Sequence, residues 1–243
     1  MRININGLAF GFTQDLIFNN FSLNLGGDDE TGNPVALLGP SGSGKTTLLR
    51  IIAGFLKPEA GSVSGIGAVN ISFVFQESRL LPRISALKNV TLPVERLLGA
   101  AEAEKRSRRF LSLCGMESFA DALPLELSGG QRRRISIARA WAYPAPIVLM
   151  DEPFQSLDIP LRIQMMDSIR ILMREERRLV IVVTHSPREA LYLAKRIIVL
   201  GRGFRDSAFV AFDELHDAPF EEREFISERT VEFEKRIIAA LSR

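Results

Sequence analysis

Three short runs of the chain are apolar at every position: "VALL" at residues 35–38, "IVLM" at 147–150 and "LVIVV" at 179–183. Four or five apolar residues without polar alternation are what strands covered on both faces require, as in a parallel sheet between helices. A polar loop and then a helical pattern follow each run. After the first come a glycine-rich loop and "KTTLLRIIAGF", a helix expected to stop at Gly54. After the second comes "DEPFQSLDIP", where Asp158 and Pro160 suit a helix start with Met166, Ile169 and Met173 on one stripe. After the third comes "THSPREA", in which Ser186 and Glu189 have capping-box spacing and Pro187 falls in the first turn. This repetition predicts an open α/β sheet, whose ligands bind beyond the carboxyl ends of the strands.

Elsewhere the pattern changes. Residues 80–142 lack long apolar strands and read as an inserted helical subdomain, with breaks expected at Pro93, Gly115 and Pro124. Residues 1–38 carry β-like runs, read as an N-terminal antiparallel β region. They also hold a polar loop, "GGDDETGNP" at 26–34, expected as a surface insertion. Residues 206–243 are expected to form a helical tail, with Ile226, Phe233, Ile237 and Leu241 at roughly helical spacing and packed on the domain surface. At 243 residues the whole fits a single domain with its subdomain.

Charge and composition add exclusions. Thirty-one basic against 29 acidic residues leave +2, so no global field asks for nucleic acid, and none is expected as a partner. The basic run "KRSRRF" at 105–110 fits a solvated helix face. Cys114 is the single cysteine, which excludes an internal disulfide and a cysteine-based metal cluster. "MRININGLAF" lacks the apolar core of a signal peptide, and no run approaches the ~18 apolar residues of a membrane span. A cytoplasmic protein is expected.

The loop after "VALL" is "GPSGSGKT", which matches the P-loop pattern between a strand and a helix. Gly39, Gly42 and Gly44 let the backbone wrap phosphates closely, with Pro40, Ser41 and Ser43 completing the loop. Lys45 brings positive charge to the β- and γ-phosphates, and Thr46, followed by Thr47, offers a hydroxyl to Mg²⁺. "IVLMDE" ends a buried strand in two carboxylates: Asp151 suits the metal and Glu152 the alignment or deprotonation of water. His185, at the carboxyl edge of "LVIVVT", suits a polar contact with the γ-phosphate, and Gln76, ending "ISFVF", has the same edge position. A second anion-facing helix start lies in "LSGGQRRRISIARA" at 127–140, where Ser128 is the expected N-cap and Ile135, Ala138 and Trp141 follow at three-residue spacing. A neutral, glycine-lined start makes sense if it closes over the γ-phosphate from the side opposite the P-loop, and its place in a separate subdomain allows it to serve a different nucleotide.

In order, "GPSGSGKT", "FVFQE", "LSGGQ", "LMDEP", "SLD" and "VTH" resemble the ATP-binding subunit of an ABC transporter, over nearly the whole chain up to about residue 205. The resemblance implies a P-loop NTPase core and a head-to-tail homodimer holding two ATP molecules. Ser128, Gly129, Gly130 and Gln131 of one chain then face the P-loop nucleotide of the other. It also implies Glu152 as catalytic base, Gln76 as the link from Mg²⁺ and attacking water to a membrane partner, His185 at the γ-phosphate, and Asp158 supporting contacts across the dimer. An aromatic stacking on adenine falls on Phe12, with Phe10 as the alternative; Ser186 stands where the family usually has an aspartate. "FQESRLLPRISALKNVTLPVE" is similar to small bacterial import ATPases of the nitrate, sulfonate and taurine group, and to thiamine-type importers. There Leu80, Leu81 and Pro82 lie where such proteins meet the coupling helices of membrane subunits. Import, integral membrane partners, a soluble solute-binding protein in the complex and a peripheral position on the cytoplasmic face are implied with it. An exporter ATPase is one alternative. A non-transport ATPase acting on nucleic acid or the ribosome is the other, opposed by the charge of +2 and by the lack of coiled coils or a second cassette.

Overall fold

The computed structural model describes residues 2–12, 15–26, 34–66, 71–155, 157–202, 208–215 and 228–241. The chain divides into two compact units, Met1–Val69 with Leu179–Arg243, and Asn70–Arg178.

In the first unit, β1 (Arg2–Gly11) pairs antiparallel with β2 (Leu16–Gly26) on one side and β4 (Ala60–Ser64) on the other, giving the expected antiparallel region. Its buried residues, Ile3, Ile5, Leu8 and Phe10, keep a two-residue period except between Ile5 and Leu8. There the pairing with β2 is irregular and Gly7 takes φ 58°, as in a bulge. β3 (Val35–Leu38) is buried throughout and lies parallel between β7 (Leu179–Val183) and β8 (Arg196–Arg202), with Leu37 opposite Val183 on one side and Ile198 on the other. Beyond β3, α1 (Lys45–Ile52) ends as expected before Gly54, whose N–H donates to the Ile51 carbonyl at 3.0 Å.

The tail differs from its helical reading. It opens with a strand, β9 (Ala208–Leu215), antiparallel to β8, because "AFVAFDEL" pairs along the free edge of that strand. Only then comes α7 (Glu228–Leu241), which buries Ile237 and Ala240 among Ala190 and Leu191 of α6 (Pro187–Leu193) and Ile197 and Val199 of β8. Phe233 meets Phe212 edge to face at 5.9 Å. Ile226 and residues 27–33 of the expected polar loop lie outside the described residues.

In the second unit, β5 (Ile71–Val74) and β6 (Ile147–Asp151) are parallel, with Val74 opposite Met150. The segment between them holds α2 (Ala86–Leu98), α3 (Ala100–Leu113) and α4 (Gly129–Ala142), which pack on one another, and α5 (Ile159–Glu175) follows β6. Gly115 and Pro124 mark breaks as expected: the first follows α3, and the second opens a short 3₁₀ turn. Pro93 does not. α2 runs through it and stops only at Gly99, because a proline removes one intrahelical bond while Val90 and Val94 of the same helix are fully buried. The stripe of α5 is Met165, Met166, Ile169 and Leu172, with Met173 only partly covered. The basic run of α3 is neutralised within this unit: Arg106 pairs with Glu176 at 2.7 Å, Arg108 with Glu104 at 2.8 Å, and Arg109 with Glu175. Among the described residues no helix is long and apolar enough to cross a membrane.

Candidate nucleotide site

The first unit supplies one cradle. Where β3 ends, Gly39 takes φ 153°, and a Cβ there would stand 2.4 Å from the Leu200 carbonyl oxygen and 2.6 Å from Ser43 Oγ. Only glycine lets the loop leave the strand so closely. The Ser43 N–H donates to the Pro40 carbonyl at 3.2 Å, and α1 starts behind Gly44 with no side-chain cap. The positive end of the helix dipole therefore lies at the loop, where an anion suits it. Lys45 is buried inside the loop, where its ammonium donates to the carbonyls of Gly39 at 2.8 Å and Pro40 at 2.9 Å. Pro40, Ser41 and Gly42 form the exposed rim, Ser43 and Thr47 are buried, and Thr46 is half-buried.

His185 leaves the same edge of this sheet, since the Thr184 N–H donates to the Leu37 carbonyl at 3.1 Å. The imidazole is exposed on a turn held from both sides. The Ser186 N–H donates to Thr184 Oγ1 at 3.0 Å, and the Thr184 hydroxyl donates to the buried Glu189 carboxylate. Ser186 Oγ accepts the Glu189 N–H at 3.4 Å, so the expected capping box is only half made; Thr184 has taken the carboxylate. At the end of β1, Phe12 is 62% exposed and stands edge-on to Phe10, which is 7% exposed, with centroids 5.1 Å apart. Phe10 pairs across the ladder with Phe18, whose ring lies where a Cβ on Gly44 would fall.

The second unit supplies the other set. Ser128 caps α4 as expected, and here the box is complete: its Oγ accepts the Gln131 N–H at 3.2 Å while Gln131 Oε1 accepts the Ser128 N–H at 2.8 Å. These two side chains hold the helix start, which leaves Gly129 exposed and Gly130 buried. The glycines differ. A Cβ on Gly129 would meet nothing within 4 Å, whereas one on Gly130 would press on Leu161 at 2.4 Å. Asp158 caps α5 by accepting the Leu161 N–H at 2.9 Å. Gln76 is exposed and its amide donates to Gln155. Gln76, Glu77, Gly129, Gly130, Gln155 and Asp158 line one open groove of about 860 Å³.

Asp151, at the end of β6, is buried, and Glu152 beside it is half-buried with φ 44°, unusual for a residue with a side chain. Residues that motif reading passes over hold this region. Arg133 donates through Nε to the Pro153 carbonyl at 2.7 Å, through Nη2 to the Glu152 carbonyl at 2.7 Å, and through Nη1 to the Phe75 carbonyl. Burial pulls its guanidinium down to about 10, with the Asp151 carboxylate opposing, so it stays charged at neutral pH. Arg139 donates to the carbonyls of Ser78 and Arg79, both at 2.9 Å, and Asn89 grips Leu81 by its N–H at 2.7 Å and its carbonyl at 3.1 Å. Residues 75–81 are thus a fixed strut that presents Leu81 and Pro82 outward. The signal for Arg133 in the sequence is a basic residue on the buried stripe of α4, four before Ile137.

Residues 19–155 match the ABC transporter domain family. The aliphatic sulfonates import ATP-binding protein SsuB 1 of Xanthomonas axonopodis pv. citri is 38% identical over 209 residues, 83% of this chain and 81% of that protein. The thiamine import ATP-binding protein ThiQ of Photobacterium profundum is 35% identical over 182 residues, 71% of this chain and 76% of that one. Among solved structures, a dimeric post-hydrolysis state of the ATP-binding cassette MJ0796 bound to ADP and Pi is 32% identical with a TM-score of 0.72, over 88% of this chain and 98% of that one. The chain belongs to the ABC transporter family, as its ATP-binding and ATP-hydrolysing subunit.

Proposed function

We propose that two copies of this chain close head to tail around two ATP molecules, and that closure and reopening drive import of a solute through separate integral membrane subunits. The observation that carries this is the presence in one chain of two glycine-flanked helix starts: α1 behind Gly44, with Lys45 and no side-chain cap, and α4 behind Ser128, neutral and with Gly129 exposed. One triphosphate meets the first from one side and leaves its other side to the second. Gly39 to Thr47 of one copy and Ser128 to Gln131 of the other then complete each site, with Phe12 under the adenine and Asp158 near the seam. The helices within 80–142 act as the subdomain that carries the second cradle. The dimeric cassette with bound ADP and Pi supports the pairing.

Within each site Lys45 moves its positive charge from loop carbonyls to phosphate oxygens, and His185 holds the γ-phosphate. Glu152 accepts the proton of the attacking water, and Gln76 orients that water. The donor set fits Mg²⁺. Among the described residues no three His, Cys, Asp or Glu side chains gather into a cage. Thr46, Asp151 and Gln76 instead offer a hydroxyl, a carboxylate and an amide oxygen, the hard donors a phosphate-bound Mg²⁺ takes. When bound, that ion neutralises charge on the β- and γ-phosphate oxygens.

Import is supported by the likeness to the sulfonate and thiamine import proteins, and Leu80, Leu81 and Pro82 are the surface offered to a membrane partner. A position on the cytoplasmic face of a membrane and a soluble solute-binding protein in the complex belong to the same proposal. Glu152→Gln tests the reading. It is expected to bind ATP, to become a dimer on ATP addition in size-exclusion chromatography, and to lose hydrolysis by about a hundredfold or more. A rapidly hydrolysing variant, or one that stays monomeric with ATP, refutes it. Chains that co-purify from detergent-solubilised membranes identify the transport partner.

A further inference from the structure

We propose that Arg133 is a positioning residue for hydrolysis: its guanidinium locks the backbone at Glu152 and thereby fixes where the carboxylate points. This rests on the reading of Glu152 as the base. Arg133 is 4% exposed, and its planar fork spends three N–H groups on three carbonyls from two separate loops. Two of them, on Glu152 and Pro153, bracket the residue after the base. The third, on Phe75 at the end of β5, is the anchor that stops the fork from swinging with the 152–153 turn.

Glu152 needs such a lock because it is held at φ 44°, a left-handed conformation that is strained for a side-chain-bearing residue. Strain of this kind persists only where the surroundings over-determine it. Here the Glu152 carbonyl accepts both Arg133 Nη2 at 2.7 Å and the Gln155 N–H at 3.3 Å, so its peptide plane is fixed from two directions. With Arg133 removed, the left-handed turn relaxes and the carboxylate swings off the line of attack. Arg133 also sits two residues after Gln131 on α4, so the helix that carries the second cradle and the turn that carries the base move as one piece.

The test compares Arg133→Met, which keeps the length and loses every donor, with Arg133→Lys, which keeps the charge but cannot span three carbonyls. Both are measured as full chains with the folded fraction determined. Expected are an ATP Kd and KM within about threefold of the parent and a kcat lower by about 10–100-fold in R133M, the cost of a misplaced catalytic group. R133K recovers part of kcat, and it carries the test alone if R133M does not fold. In a Glu152→Gln background the same substitutions are expected to lower the single-turnover rate by no more than about twofold, since the group they position is gone. Parent-like kcat per folded molecule, or an equal further loss in the E152Q background, overturns the role of Arg133 and leaves Glu152 as base. An E152Q chain that hydrolyses at the parent rate overturns the base itself, and the positioning role with it.

Discussion

Phe10 lies on β1 and Phe12 just past its end, two residues on, and the two differ in what they can do. Phe10 is buried in the ladder against Phe18, and Phe12 presents a mostly exposed ring braced edge-on by Phe10. Large exposed rings are costly to leave in water, and a base stacked on one is stabilised by about 1–3 kcal/mol. Phe12→Ala is therefore expected to raise the Kd for ATP at least about fivefold, read by calorimetry, with an unchanged melting temperature. Phe10→Ala is expected to cost about 3–5 kcal/mol of stability, read by denaturant melts, because it opens a cavity under the same strand. An intact Phe10→Ala chain that binds ATP weakly, beside a Phe12→Ala chain that binds normally, reverses the assignment. At this scale the sequence reveals groups whose chemistry is local to a motif: Lys45 in its loop, Asp151 and Glu152 at a strand end, Ser128 before its glycines. It hides groups whose partners are backbone carbonyls far along the chain. A basic residue on the buried stripe of α4 marks Arg133 as partnered without naming Phe75, and no residue pattern announces that Thr184 diverts Glu189 from Ser186.

Elements follow the same division. β3, β6 and β7 are legible because a strand covered on both faces has no polar position to confuse its period. α2 is misread at Pro93 because packing on α3 and α4 is tertiary, and β9 is missed because its edge pairing with β8 depends on a neighbour nearby in space. The seam of the second unit is likewise invisible in sequence. Glu176, just past α5, accepts from Arg106 of α3 at 2.8 Å and from Arg178, and those two arginines also hold the carbonyls of Trp141, Ala142 and Tyr143 at the end of α4. Burial alone raises the Glu176 carboxyl, but hydrogen bonds from Arg106 and Arg178 outweigh it and hold the group below its ordinary value. A carboxyl depressed in the folded state stabilises above the unfolded value of about 4.3, and that stabilisation is lost as pH falls through the folded one. Glu176→Gln is thus expected to cost about 2 kcal/mol at pH 7, by urea melts, and the difference from the parent is expected to shrink below about pH 4. A difference that stays constant from pH 7 to 3 removes the ionised seam from the account.

For the whole molecule the decisive question is whether each nucleotide is served by one copy or two, and two inactive variants answer it. Lys45→Ala removes the charge from the first cradle. Gly129→Asp disables the second without disturbing the fold: a Cβ at Gly129 meets nothing within 4 Å, and a carboxylate in the first turn of α4 suits the helix dipole while repelling phosphate. Each variant alone is expected to be inactive, because every site in either homodimer contains one dead cradle. Mixed in equal amounts, the chains form heterodimers in which both defects fall on one site. The other site keeps Lys45 from the Gly129→Asp chain and an unaltered Gly129 from the Lys45→Ala chain. With random pairing about half the dimers are mixed, so about a quarter of all sites are intact and about a quarter of the parent ATPase activity is expected to return, if sites turn over independently. If both cradles served a nucleotide within their own chain, every site in every dimer would carry a defect and mixing would restore nothing. Recovery on mixing is a property of the pair that neither variant possesses alone, so it separates a shared site from a damaged fold.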